Sequence, residues 1–351
     1  MRWFRHLAAR SAATAVAATA VAATALASCG GSTTPPGPPP PAAWAVSRHL
    51  PGVVDLAGPR ADGSFLVAAA GRLFVLGRDG TLRPFARGTG GYQTAQGTEP
   101  YLVLARTDAE GGEPCSFGKN TAFAIEPGAD PGVIMISPDG RARRFASLRP
   151  GLFPSGIAYD STGRFGHRLL VTAGFRGRTT VFGIGCDGQA AMIAAGAPPV
   201  EGGIAVAPAT FGRFGGDLIA PDEGSGLVYA VNPAGQVVTL VRSGLPAGGD
   251  IGVESAGFVP PGAAAAYLAD RFSARNRHPG DNAILRLSAA ELARAGIRPG
   301  DLLVATEGGA RTIDVRCAAA CTVRYVAAGP AIAHAEGHIA FMSPASSTGT
   351  G

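Results

Sequence analysis

Four stretches share one pattern: RDGTLRPFA (Arg78–Ala86), PDGRARRFA (Pro138–Ala146), CDGQAAMIA (Cys186–Ala194) and PAGQVVTLV (Pro233–Val241). In each, a turn glycine (Gly80, Gly140, Gly188 or Gly235) is followed five residues later by a large apolar residue. The glycines lie 60, 48 and 47 residues apart. A β-prone apolar run precedes each turn: RLFVLG, GVIMIS, TTVFGIG and GLVYAV. Apolar run, Asp-Gly or Ala-Gly turn, apolar run is a hairpin signal.

A longer unit repeats around these hairpins. Gly156-Ile157-Ala158 is followed by Gly163-Arg164-Phe165-Gly166 and then RLLVTAG. Gly203-Ile204-Ala205 is followed by Gly212-Arg213-Phe214-Gly215 and then DLIAPDE. One unit therefore reads as four antiparallel strands in about 47 residues, which is a propeller blade. The 299 residues from Trp44 to Met342 divide into six blades of about 50 residues. Seven would need about 43 each, less than the observed spacings, and the coils of a right-handed β-helix are shorter than 47 residues. Blades are expected to start near Val53, Gly97, Pro154, Glu201, Glu254 and Arg311. The sixth lacks an outer strand, which Trp44-Ala45-Val46-Ser47 can supply, covering an open edge. The expected fold class is all-β, a six-bladed β-propeller with N-terminal strand closure. Arg106 to Asn120 enlarges blade two. Ser288 and Glu291 form a capping box for a short helix ending at Gly296, expected between the third and fourth strands of blade five.

Composition agrees. Of 351 residues, 46% are apolar and 16% charged, with 52 Gly and 28 Pro. That excludes a long coiled coil and a mainly disordered chain. Residues 1–28 read as a leader: Arg2, Arg5 and Arg10, then the uncharged Ser11–Ala27 stretch, then Leu26-Ala27-Ser28-Cys29, which matches the bacterial lipobox. Cys29 is the expected lipidation site, and a plain secretory signal is the alternative. Residues 29–43 form a Pro/Gly-rich tether and 343–351 a disordered tail. The expected location is extracytoplasmic, anchored to the cell membrane. The whole chain has 30 basic and 25 acidic residues, and the leader holds three of the basic ones. The remaining excess of +2 points to no nucleic-acid partner. A monomer is expected.

The form Pro154-Ser155-Gly156-Ile157-Ala158, followed by a turn and an apolar strand, resembles the six-bladed superfamily of NHL-repeat and gluconolactonase (SMP-type) proteins. The resemblance spans Trp44 to Met342 at the level of repeat architecture. In the lactonase branch the residue before this glycine is usually an asparagine that binds calcium; here Ser155 replaces it. Quinone-dependent sugar dehydrogenases are also six-bladed, but their cofactor-site motifs are absent. So are nucleotide and flavin signatures and a G-x-S-x-G nucleophile.

Blade topology sorts loops onto two faces. First-strand starts and second-to-third loops share the top face. Glu99, Glu201, Glu254 and Glu336 sit at first-strand starts, and Asp222 and Asp270 end second strands. All six carboxylates are expected at the top mouth of the channel. Hard oxygen ligands around one axis suit Ca²⁺ or Mg²⁺; staples to neighbouring backbone N–H groups are the structural alternative. Arg176, Arg271 and His278 are expected on the same face, as ligand-binding groups. His334 and His338 alternate about Glu336 and are expected to share one side.

Four cysteines remain after Cys29. Cys115 and Cys186 fall on the bottom face of neighbouring blades, and Cys317 and Cys321 close a hairpin turn in blade six, so two disulfides are expected. A metal clip at Cys317/Cys321 is the alternative. The leading functional expectation is a surface-anchored lipoprotein that binds a polar small molecule or glycan at the top mouth, with a divalent cation. The alternatives are a metal-dependent lactonase-type hydrolase and a protein-interaction platform.

Overall fold

The computed structural model describes residues 42–95, 97–105 and 117–342. The leader, Cys29, most of the tether, Cys115 and the tail lie outside them. Among the described residues the chain is a six-bladed β-propeller with one short α-helix, Ala289–Arg294. None of these residues forms a helix long and apolar enough to cross a membrane.

Blades 1 to 4 follow the chain. Blade 1 is Val53–Ala57, Phe65–Ala69, Arg72–Leu76 and Leu82–Phe85. Blade 2 starts at Leu102–Leu104, blade 3 at Phe153–Tyr159 and blade 4 at Ala205–Val206. The repeated Asp-Gly segment, Ala-Gly in blade 4, is the outer hairpin of each. Its glycine takes positive φ, 79° at Gly80 and 88° at Gly140, and donates back three residues, Gly80 N to Gly77 O at 3.0 Å. This is a type I turn closed by a left-handed residue, which glycine adopts without a Cβ clash.

The last two blades interleave, which corrects the expected start of blade six at Arg311, while blade five starts where expected, beside Glu254. Blade 5 is Val253–Phe258, Leu302–Thr306, Thr312–Cys317 and Cys321–Ala328. Blade 6 has Ala335–Met342 innermost, then Ala265–Asp270, Ala283–Ser288 and, outermost, Ala45–His49. The hairpin 265–288 thus leaves the first strand of blade 5 and joins the next blade. The helix carries the expected capping box, but it connects blade 6 back to blade 5. The N-terminal closure spans more than Trp44–Ser47: Ala42–Ala43 also adds a parallel fifth strand to blade 5. Between the two strands, Trp44 is 3% exposed and donates from Nε1 to Thr312 Oγ1 at 2.8 Å.

Cys317–Cys321 is a disulfide, as expected, but in blade 5. Cys186 is also disulfide-bonded; its expected partner, Cys115, lies outside the described residues.

The core explains why the inner strands read as unbroken apolar runs. Each strand buries both faces, one against each neighbouring blade. In Phe65–Ala69, Phe65 and Val67 pack toward blade 6, while Leu66 and Ala68 pack toward blade 2. Equivalent apolar clusters fill the other four blade interfaces. Each fully buried Leu or Phe contributes about 2 kcal/mol.

Candidate functional site at the top mouth

Two of the expected glutamates converge on one buried phenol. Tyr101, 2% exposed, lies 2.9 Å from Glu254 Oε1 and 2.8 Å from Glu336 Oε2. Arg271 Nη1 meets Glu336 Oε1 at 2.9 Å and also pairs with Glu99. His334 Nε2 lies 2.7 Å from Glu307 Oε1 and 3.5 Å from Glu336 Oε1. Oxygens of Glu223, Glu254 and Glu307 lie within 4.8 Å of one another. Glu201 stands at the rim, beside the like charge of Glu223. Gly202 makes this approach possible: its φ is +73°, and a Cβ there would sit 2.3 Å from Glu254 Cγ.

Hydrogen counting places a proton. One phenolic hydrogen cannot serve two ionised carboxylates, so Glu254 or Glu336 carries one. Burial opposes ionisation of Glu336, but His334, Arg271 and Tyr101 outweigh it and hold its carboxyl below the ordinary range. Burial, then the charge of Glu336 and Glu307, pushes Glu254 well up. The proton therefore belongs to Glu254. Burial and neighbouring glutamates raise Glu201 to about 8 and Glu307 to about 7. Burial also raises Glu99 and Glu223. His334 goes the other way from a buried imidazole: Glu307 and Glu336 overcome its desolvation and raise it to about 10. Six carboxyls thus face two cations, Arg271 and His334. No N–H or O–H of the described residues reaches Glu307 Oε2, although Glu307 is 4% exposed.

The other expected residues divide by role. Asp222 closes its own turn, accepting from Ser225 N at 3.3 Å and Ser225 Oγ at 2.6 Å. Asp270 accepts from His334 N at 2.9 Å, so it positions the histidine and stays out of the carboxylate cluster. These two are corrections, as is the ligand-binding expectation for His278, while Arg176 lies outside the carboxylate cluster, over the Phe175 ring. His278 pairs its Nδ1 with Ala331 O at 2.7 Å and packs on Gly308. His334 and His338 do not share a side, because Gly337, at φ +68°, lies in a bulge between them. His338 instead meets Asp55 below the mouth, Nδ1 to Oδ2 at 2.9 Å.

Sequence reasoning missed Glu223 and Glu307. Glu223 follows Asp222 in the same turn, where one residue bonds the turn and the next faces the channel. Glu307 sits in the second-to-third loop of blade 5, which the interleaving had hidden.

No protein-family profile matches the chain, and no curated protein matches it. Solved structures do. A protein titled a calcium-binding regucalcin, from Agrobacterium tumefaciens, superimposes with a TM-score of 0.51 at 13% identity, over 86% of this chain and 83% of that one. A Xanthomonas campestris gluconolactonase gives 0.40 at 16% identity, over 65% and 69%. A Staphylococcus aureus virginiamycin B lyase gives 0.42 at 12%, over 80% and 86%. The likeness to the regucalcin-titled structure is one of fold.

Proposed function

We propose that the top mouth binds a divalent cation, Ca²⁺ or Mg²⁺, on Glu223, Glu254 and Glu307, with Glu201 at the rim. The cation would present its open side to a polar small molecule. The observation that carries this reading is the meeting of three oxygen donors within 4.8 Å of one another, with Glu307 Oε2 lacking any donor. Ligand oxygens of one calcium ion stand about 2.4 Å from it, so opposite ligands are about 4.8 Å apart. The set fits one coordination sphere. The donors are all oxygen, as hard cations require. The trio Glu307, His334 and Glu336 fits less well, because Arg271 already neutralises Glu336. Four uncompensated carboxyls are costly to ionise in a buried site, and a divalent cation removes much of that cost.

The deciding experiment is calorimetric titration of the metal-free protein with calcium and magnesium. Wild type is expected to bind, with release of the Glu254 proton, and Glu254→Gln to lose about 100-fold in affinity, as a ligand that can ionise is removed. Equal affinity in the variant would remove Glu254 from the site. A lactonase-type hydrolysis is the second reading. It is favoured by Glu201, whose carboxyl, raised to about 8, has the character of a general base. A lactone panel, with Glu201→Gln as the inactive control, tests it.

The leader motif supports anchoring through lipidated Cys29 on the outer side of the membrane. Labelled palmitate should enter the wild type and not Cys29→Ala.

A further inference from the structure

A groove beside the mouth runs from Glu201 and Glu223 outward across blades 3 and 4. It encloses about 490 Å³, and its far wall carries Phe153, Phe175, Arg176 and Arg178. Phe153 and Phe175 are 50% and 45% exposed, on paired strands where Phe153 faces Gly174. Both phenylalanines line the groove and leave apolar surface open to water, which a ligand ring can cover. Arg176 Cζ lies 5.0 Å from the Phe175 ring centroid. Neither Arg176 nor Arg178 pairs with a carboxylate among the described residues.

The backbone adds an independent observation. Arg176 has φ +50° and Gly177 φ +71°, a two-residue hairpin turn. The same turn in blade 1 is Ala70-Gly71, with φ of 49° and 71°. Alanine therefore satisfies this turn, and the left-handed position costs any L residue about 1 kcal/mol. The turn does not explain the arginine.

We propose that the groove binds an elongated aromatic acid, or an ester or lactone of one. One end would place its oxygens beside Glu201 and Glu223 on the cation, the ring would lie against Phe153 and Phe175, and a far carboxylate would meet Arg176 and Arg178. This rests on the cation reading, since without a cation the two glutamates repel an anion. Guanidinium groups suit the far carboxylate. The apolar middle disfavours a sugar, whose hydroxyls would face Phe153, Phe175 and Val200 without acceptors.

The test is calorimetry on the full-length, calcium-loaded protein with three probes: 4-carboxycinnamate, cinnamate and glucuronate. The diacid should bind at least about tenfold tighter than cinnamate, and glucuronate weakest. Arg176→Ala/Arg178→Ala should reduce the diacid to the level of cinnamate. Phe153→Ala/Phe175→Ala should weaken both arenes about tenfold and leave glucuronate unchanged. Calcium is titrated separately against each variant. If calcium binds throughout but the arginine variant keeps the preference, or glucuronate binds best, the groove proposal is overturned and the cation reading stands. If wild type takes no calcium, both fall.

Discussion

Glu254 and Glu336 share one phenol and titrate in opposite directions. Glu336 faces Arg271 and His334, whereas Glu254 faces other carboxyls. The consequence is a pH dependence. An unfolded Glu titrates near 4.3, while folded Glu201 and Glu307 titrate at about 8 and about 7. Raised acids contribute stability that is complete below the unfolded value and lost as pH rises through the folded one. His334, raised to about 10, acts with the same sign above its unfolded value near 6.5. The metal-free protein should therefore lose thermal stability between pH 5 and 9, and saturating calcium should flatten that fall. A metal-free melt that rises over this range would contradict the site's electrostatics. Glu99, Glu201, Glu254 and Glu336 were legible from blade phase alone. Glu223 was not, because period-two reasoning cannot say which of two turn carboxylates bonds the turn.

The outer hairpins were readable because glycine at a left-handed turn leaves a local mark at each repeat. Pairing of the hairpin 265–288 was not, because its strands are buried on both faces and fit either blade. Such strands carry no alternation to name their partner. The N-terminal segment works at this scale too. Trp44 fills the interface of blades 5 and 6 and ties to Thr312, between the strands that cover both outer edges. Trp44→Ala should cost about 3–5 kcal/mol, read as a lowered midpoint in urea unfolding. A shift below about 1 kcal/mol would mean that the closure contributes little.

Ring closure also depends on a pair below the mouth. Asp55, wholly buried, accepts from Leu102 N at 2.6 Å and His338 N at 2.7 Å. His338 Nε2 lies 2.9 Å from Ile157 O. Both ring nitrogens thus meet acceptors, which only the imidazolium satisfies. Burial opposes that charge, but Asp55 outweighs it and raises the histidine. The pair links blade 1 to blades 2, 3 and 6, fulfilling at an aspartate the backbone-staple role that the sequence allowed for the glutamates. Asp55→Asn leaves the cation unpaired and should cost about 3–5 kcal/mol, measured by denaturant titration; a loss near zero would show that the channel does not need the pair. With the ring fixed in this way, the mouth glutamates are held together against their mutual repulsion. The account predicts that a cation occupies them. Elemental analysis of the purified chain after equilibration with calcium and desalting tests this most directly. One calcium per chain, removed by chelator with a lowered melt, is the predicted result. A metal-free chain whose melt ignores both calcium and chelator would contradict it.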